Sequence, residues 1–454
     1  MTKPLSVPHI LSWFLAAALA TLLAIALVFL AVNWHDRAPS AGARRLEQVS
    51  QSLPTVAPAD NAFIYLLGID APQGQDPRVI GRARFTWLQQ QAQANGAARV
   101  FPDGLDGATP ERAPAFLALY ASCRQIDGNC AEALDADPVQ AVAWVNSEQW
   151  ILDRYLALLD HGAWSEARPF DPELPLAPYN AALDMQRLFF VHAWITAGKG
   201  EAQAVADLLQ RDLAFWRMVL ASSDNFTAKR AATVAINRHF TWSSLVMRSM
   251  PPEQRLQAIP PAWRTALSAP ERAILRNAAS EFQTLRRSVM VVKNKHRAGL
   301  WAPLEKLNDR LFQVQHTLNP HADALVATAD AFGADYARLP QAASALAGAR
   351  TDGDDVVDSW LYNLAGRSLP GPRMHEVVFF ASRVADLEAL RRAALLTAQL
   401  RSDDPEPAAM AGKVAASALR NPYTGKPFVW DEQMQAVRFA GISPPPYNEY
   451  VVYY

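Results

Sequence analysis

The chain has 454 residues, half of them apolar, with 43 Lys and Arg against 44 Asp and Glu and a formal net charge of -1. That balance lacks the concentrated basic surface that nucleic acid binding requires. A chain of this length also buries a sizeable core without disulfide or metal staples.

Residues 10–32 form a run without a charge, Pro or Gly. As a helix it reaches about 34 Å, enough to cross a hydrocarbon core of roughly 30 Å. Trp13 and Trp34 lie near its ends, where indoles favour the headgroup region. A cleaved signal peptide is the rival reading, with an apolar core of about 7–15 residues and a small-x-small cleavage site. Here the run is longer, and Ala24-Ile25-Ala26 is followed by more apolar sequence. An uncleaved transmembrane anchor after a short tail (residues 1–9) is therefore expected.

Sidedness rests on two opposed signals. Lys3 precedes the run whereas Arg37, Arg44 and Arg45 follow it, which by the positive-inside rule disfavours export, although long domains translocate largely regardless of charge. Cys123 and Cys130 are the only cysteines. Their spacing suits a disulfide closing a short loop in an oxidising compartment, with two free thiols as the alternative. The pair is too wide for a redox CxxC and too few for a tetrahedral zinc site. The expectation is a single-pass protein of a bacterial inner membrane with its large domain in the periplasm.

Beyond the anchor, residues 33–60 carry Pro39, Gly42, Pro54 and Pro58 and read as a flexible tether with a short helix near 44–53. A helical domain is expected over 61–405, with a subdivision near 250–270. Within it, residues 68–76 form a turn-rich loop before a helix at 79–93. Asp137-Pro138 places a capping carboxylate before a proline at the first helical position and opens a helix over 139–159. Residues 180–222 read as a helical hairpin turning at Gly198-Lys199-Gly200. It resembles one unit of a tetratricopeptide-like solenoid, but no fixed period recurs, so a solenoid is one option. Ser268, Pro270 and Glu271 open a helix over 271–292, and Asn319-Pro320 opens another over 321–336. In residues 406–454, the turn at 421–425 precedes segments 427–430 and 436–439, read as a small β-hairpin. Residues 447–454 form an aromatic, β-prone tail. An isolated hairpin is marginal in water, so it must dock on the helical body. The fold class is thus mainly α, one transmembrane helix followed by helical hairpins and a small C-terminal β-hairpin.

Two short stretches carry a resemblance. Residues 61–68 (Asn-Ala-Phe-Ile-Tyr-Leu-Leu-Gly) and 421–427 (Asn-Pro-Tyr-Thr-Gly-Lys-Pro) resemble patterns in membrane-anchored bacterial proteins of uncharacterised role. The second is similar to an Asp-Pro-Phe-Thr-Gly-x-Pro turn near the ends of envelope proteins, with Asn and Tyr in place of Asp and Phe. The resemblance implies an envelope location and no activity.

Motifs for phosphate loops, nucleophile elbows and HExxH zinc helices are absent from the sequence. His316 and His321, with Asp323, are five residues apart across Asn319-Pro320 and are expected on different elements, not as a metal pair. His192 sits on the apolar face of a hairpin helix and reads as a core or groove histidine. Asp352, Asp354, Asp355 and Asp358 could bind Ca²⁺ but lack EF-hand spacing; capping of a helix over 355–364 is the simpler role. Arg286, Arg287, Lys293, Lys295 and Arg297 could meet anionic lipid or an acidic partner, or form a solvated helix face. Arg211, Trp216 and Arg217 with Phe189, Phe190 and Trp194 could line a groove, although aromatics at helical spacing usually build core. No catalytic, cofactor or metal site is expected. The expected role is an envelope scaffold or interaction module with the bilayer and an envelope protein as partners; a hydrolase assembled only in three dimensions and a lipid-handling protein are the alternatives.

Overall fold

An apolar helix, exposed along most of its length among the described residues, is the first described element. In the computed structural model, α1 (Val7–Val32) is 26 residues, about 39 Å long, and Leu11–Val32 has a mean hydropathy of 2.8 with no burial in the rest of the molecule. It is long and apolar enough to cross a membrane. All residues are described except 1–6, 92–99, 109, 111, 125–127, 167–173, 294–310, 349–361, 364–365 and 367–372.

The described helices continue with α2 (Ala41–Gln51), α3 (Ala62–Leu67), α4 (Pro77–Gln91), α5 (Leu117–Ser122), α6 (Gly128–Ala136), α7 (Pro138–Ser147), α8 (Gln149–Leu159), α9 (Tyr179–Gly198), α10 (Ala202–Ser222) and α11 (Phe226–Arg248). After these come α12 (Ala269–Arg272), α13 (Leu275–Lys293), α14 (Val314–Phe332), α15 (Leu339–Gly348), α16 (Met374–Asp403) and α17 (Met410–Ala416). Strands β1 (Val429–Asp431), β2 (Ala436–Ala440) and β3 (Glu449–Tyr453) close the chain as an antiparallel sheet in the order β1-β2-β3. The chain is mainly α with a small C-terminal sheet. The tail expected to be β-prone supplies β3, pairing Val437 with Val452 and Phe439 with Tyr450, so the hairpin becomes three strands.

The α9/α10 hairpin forms as its sequence implies, with Gly200 at φ +75 in the turn. α11 packs on both and also on α16, more than a hundred residues later. A solenoid unit touches only its neighbours in series; here the chain ends fold back onto the middle. Trp144, Trp216 and Trp263 are fully buried in this core, where truncating a ring typically costs about 3–5 kcal/mol.

The expected flexible tether is largely a docked element. Ser40 caps α2 by accepting from the Ala43 N–H, and Leu46 is completely buried where α2 lies between α13 and α14. The composition reads as a linker because the face that docks is small: Gly42 brings its backbone against Asp323, where a Cβ would fall 2.4 Å from the carboxylate.

Three helix boundaries also shift. The 139–159 helix is broken at Glu148, whose buried carboxylate faces Arg112 at 3.1 Å. The 271–292 helix is interrupted after the capping box of Ser268 and Glu271, and Ala273 turns extended because Lys229 draws the Glu271 and Ala273 carbonyls to its ammonium. α14 begins at Val314 and runs through Pro320. His316 and His321 therefore share one helix, contrary to expectation, yet a five-residue separation keeps them off a common face.

Candidate functional site

A wide depression lies where the first turns of α16 meet α15 and the turn at 441–447. Asp386, in α16, holds that turn in place. Its Oδ1 accepts from the Tyr423 hydroxyl at 2.7 Å and the Ile442 N–H at 2.9 Å. Its Oδ2 accepts from the Ser443 hydroxyl at 2.7 Å and the Tyr450 hydroxyl at 3.0 Å. Gly441 is required beside it, since a Cβ there would fall 2.5 Å from the carboxylate. Burial next to this carboxylate pushes both tyrosine hydroxyls up in pKa, so they remain donors.

The resulting trough has two lobes. The larger, about 720 Å³, is lined by Ala343, Ala347, Val378, Ile442, Pro444 and Pro445, among others, with His375 and Glu376 also on its wall. The smaller, about 160 Å³, lies between α11 and α16 over Phe226, Val234, Ile274 and Val384. Phe379 and Tyr447, edge to face at 5.4 Å, belong to both lobes. Tyr447 is 57 % exposed. At the smaller lobe Phe226 stacks on Phe380, and the Arg230 guanidinium lies 5.8 Å from the Phe380 ring. Arg383 donates to the Tyr447 carbonyl.

Lys229 also lines the smaller lobe. Burial lowers its pKa to about 7, and its Nζ donates to the carbonyls of Leu220, Glu271 and Ala273. Three acceptors use all three hydrogens of an ammonium, so this lysine joins helix ends and is not poised as a nucleophile. The trough is suited to holding apolar and aromatic groups by burial, with cations at one lip.

The one His–Asp arrangement with catalytic geometry among the described residues lies elsewhere. His239 Nδ1 is 2.7 Å from Asp212 Oδ2. Trp263 donates to His239 Nε2 at 2.8 Å, Tyr155 donates to Asp212 Oδ1, and Trp216 donates to the Tyr155 oxygen. Both His239 and Asp212 are fully buried. With each imidazole nitrogen occupied and no path to solvent, the network fixes how α8, α10 and α11 pack. A second buried polar group joins Glu166, which accepts from Trp164 Nε1 and the Asp224 N–H, each at 2.6 Å, to the Asp224–Arg276 ion pair.

The residues singled out by sequence fall in varied places. Cys123 and Cys130 are bonded, 2.09 Å between sulfurs, and both are buried. His316 meets Asn363 and the Tyr362 ring. Asp323 receives the Ser40 hydroxyl and the Gly42 N–H. His192 is half-buried, with its pKa lowered by burial. Arg211 pairs with Asp160, while Arg217 pairs with Glu271 and donates to carbonyls at 262, 265 and 266. Phe189, Phe190, Trp194 and Trp216 are core, the role aromatics at helical spacing usually take, with Phe190 and Trp194 also lining a small cavity of about 10 Å³. Arg286 pairs with Glu47. Lys295, Arg297 and the acidic cluster at Asp352, Asp354, Asp355 and Asp358 lie outside the described residues. Among the described residues no group of three potential metal ligands converges.

Phe379, Tyr447 and Asp386 were not legible as a site. Adjacent phenylalanines in a long helix carry no signal of their own, and the turn that faces them is some sixty residues away. Comparison with protein-family models, curated proteins and solved structures yields no match.

Proposed function

We propose that this is a single-pass envelope protein whose helical domain is a protein-interaction module. Held at a bacterial inner membrane by α1, with its body in the periplasm, it takes an apolar, aromatic-bearing segment of a partner protein in the trough beside Phe379 and Tyr447. The observation that carries this reading is the open, mostly apolar trough with a half-exposed tyrosine at its divide. Grooves of this kind accept helical or proline-rich segments through a few side-chain anchors. Fixing the module beside the bilayer raises its effective concentration toward neighbours there. The bonded cysteine pair supports an oxidising compartment.

A photo-crosslinking residue placed at 379 or 447 in the full chain tests the proposal in intact membranes. A discrete protein adduct is expected from both positions, lost when Ala343→Asp fills the larger lobe with charge. Adducts of lipid alone would transfer the trough to a hydrophobe-handling role. Alkaline phosphatase fused after Tyr454 should be active; an inactive fusion would reverse the sidedness.

A further inference from the structure

The junction between α1 and the body is built, not loose. Asn33 is buried: its Nδ2 donates to the Phe29 carbonyl, its Oδ1 accepts from the Asn363 N–H at 2.7 Å, and its carbonyl accepts from Gln313 at 2.6 Å. Asp36 then caps α14, accepting from the Gln315 and His316 N–H groups. The chain continues along α14 in the same direction, from Asn319 beside Ser40 to Asp330 beside Arg45. Because α1 is exposed from Leu11 to Val28 and meets the body only at its end, it leaves the body near Asn33, and whatever adjoins the start of α14 lies nearest the bilayer.

α13 and α14 pack along one another. Arg272, just ahead of α13, donates to the Ala334 carbonyl, just past α14, so the two helices run antiparallel. The end of α13 therefore meets the start of α14 beside the anchor junction. There Met290, Val291 and Val292 are 39, 62 and 46 % exposed, followed by Lys293. Trp34, on the junction itself, is 60 % exposed.

We infer that the end of α13 at residues 290–292 enters the interfacial layer of the same bilayer that α1 crosses. The domain then meets the membrane at two points, which sets its rotation about the α1 axis and the height of the trough. Apolar side chains at that depth enter the acyl boundary while a following lysine reaches back to the phosphates. This inference rests on the reading of α1 as an anchor.

Full-length Val291→Cys, labelled with an environment-sensitive fluorophore, tests it in vesicles of phosphatidylethanolamine and phosphatidylglycerol. The native cysteines are paired and buried, so one label is installed. Ala337→Cys, past the far end of α14 and about 28 Å along that helix from its start, serves as the reference. Emission at 291 should be quenched by acyl chains brominated near the carbonyl and should resist aqueous iodide several-fold better than at 337. A label at 292 should behave like the one at 291. Equal iodide access at 291 and 337, with no bromolipid quenching, would overturn the proposal. Flotation after an alkaline carbonate wash separates the two readings: a chain that leaves the vesicles refutes the anchor, whereas one that stays with an iodide-open 291 refutes only the second contact.

Discussion

Tyr423 and Asp386, 37 residues apart, meet through a buried 2.7 Å hydrogen bond from the phenol to the carboxylate. That contact, repeated by Tyr450 from the last strand, attaches the C-terminal sheet to α16. Replacing Asp386 with Ala leaves five donors, most of them buried, without their acceptor, and leaving buried donors unpaired costs about 1–3 kcal/mol each without full additivity. Asp386→Ala should therefore lower the melting temperature by several degrees and expose the segment after residue 405 to protease. Asp386→Asn, which keeps one acceptor oxygen, should lie between. An Asp386→Ala protein with the parent's melting curve and digestion pattern would show that Asp386 is not what holds the sheet, leaving apolar contact and the bonds of Ser244 and Arg401 to Tyr453.

The disulfide closes a short loop between α5 and α6. On the loop-entropy model, a ring of this size contributes about 2–3 kcal/mol. Cys123→Ser with Cys130→Ser should fold with a lowered melting temperature. Mass spectrometry of the unreduced chain should find the two cysteines joined, and two alkylatable thiols would contradict it.

Burial, reinforced by the neighbouring Asp224, raises the Glu166 carboxyl to about 8 from an ordinary 4.5. Asp224 is raised as well, chiefly by burial. An acid whose folded pKa is raised stabilises the fold fully below its unfolded pKa and loses that contribution as pH rises through the folded value. Stability should accordingly fall between about pH 4.5 and about 8. Lys229 acts in the opposite sense, its contribution lost as pH falls through about 7. Glu166→Gln removes the ionisation, at the cost of one of the two bonds, because Trp164 and the Asp224 N–H use different carboxylate oxygens and the amide keeps only one. Denaturant unfolding across the range should give a flatter profile for Glu166→Gln; parallel profiles would dismiss the titration.

The junction between α1 and the body predicts a local effect. Asn33→Leu removes the acceptor for the Asn363 N–H and the donor to Phe29, at a cost of about 1–3 kcal/mol. Hydrogen exchange should quicken in residues 33–40 and at 362–363, with α9 and α10 unchanged. Uniform exchange across the chain would mean that the junction carries no local order.

Where the physics is local, the sequence by itself was decisive. The apolar run of α1 needs only length and composition, the α9/α10 hairpin only a helical stripe and a glycine at positive φ, and Asp137-Pro138 only a cap. The C-terminal turn and its β-prone segments were legible for the same reason. Tertiary contact decided the rest. α2 looked like linker because its docking surface is a glycine and a leucine, held by Asp323 of α14 and, through Glu47, by Gln283 and Arg286 of α13. The breaks at Glu148 and Ala273 are drawn by Arg112 and Lys229, which no local window contains. Asp386, Phe379 and Tyr447 become a site only when α16 and the last turn are brought together, because a buried carboxylate acquires its meaning from donors supplied by the whole fold.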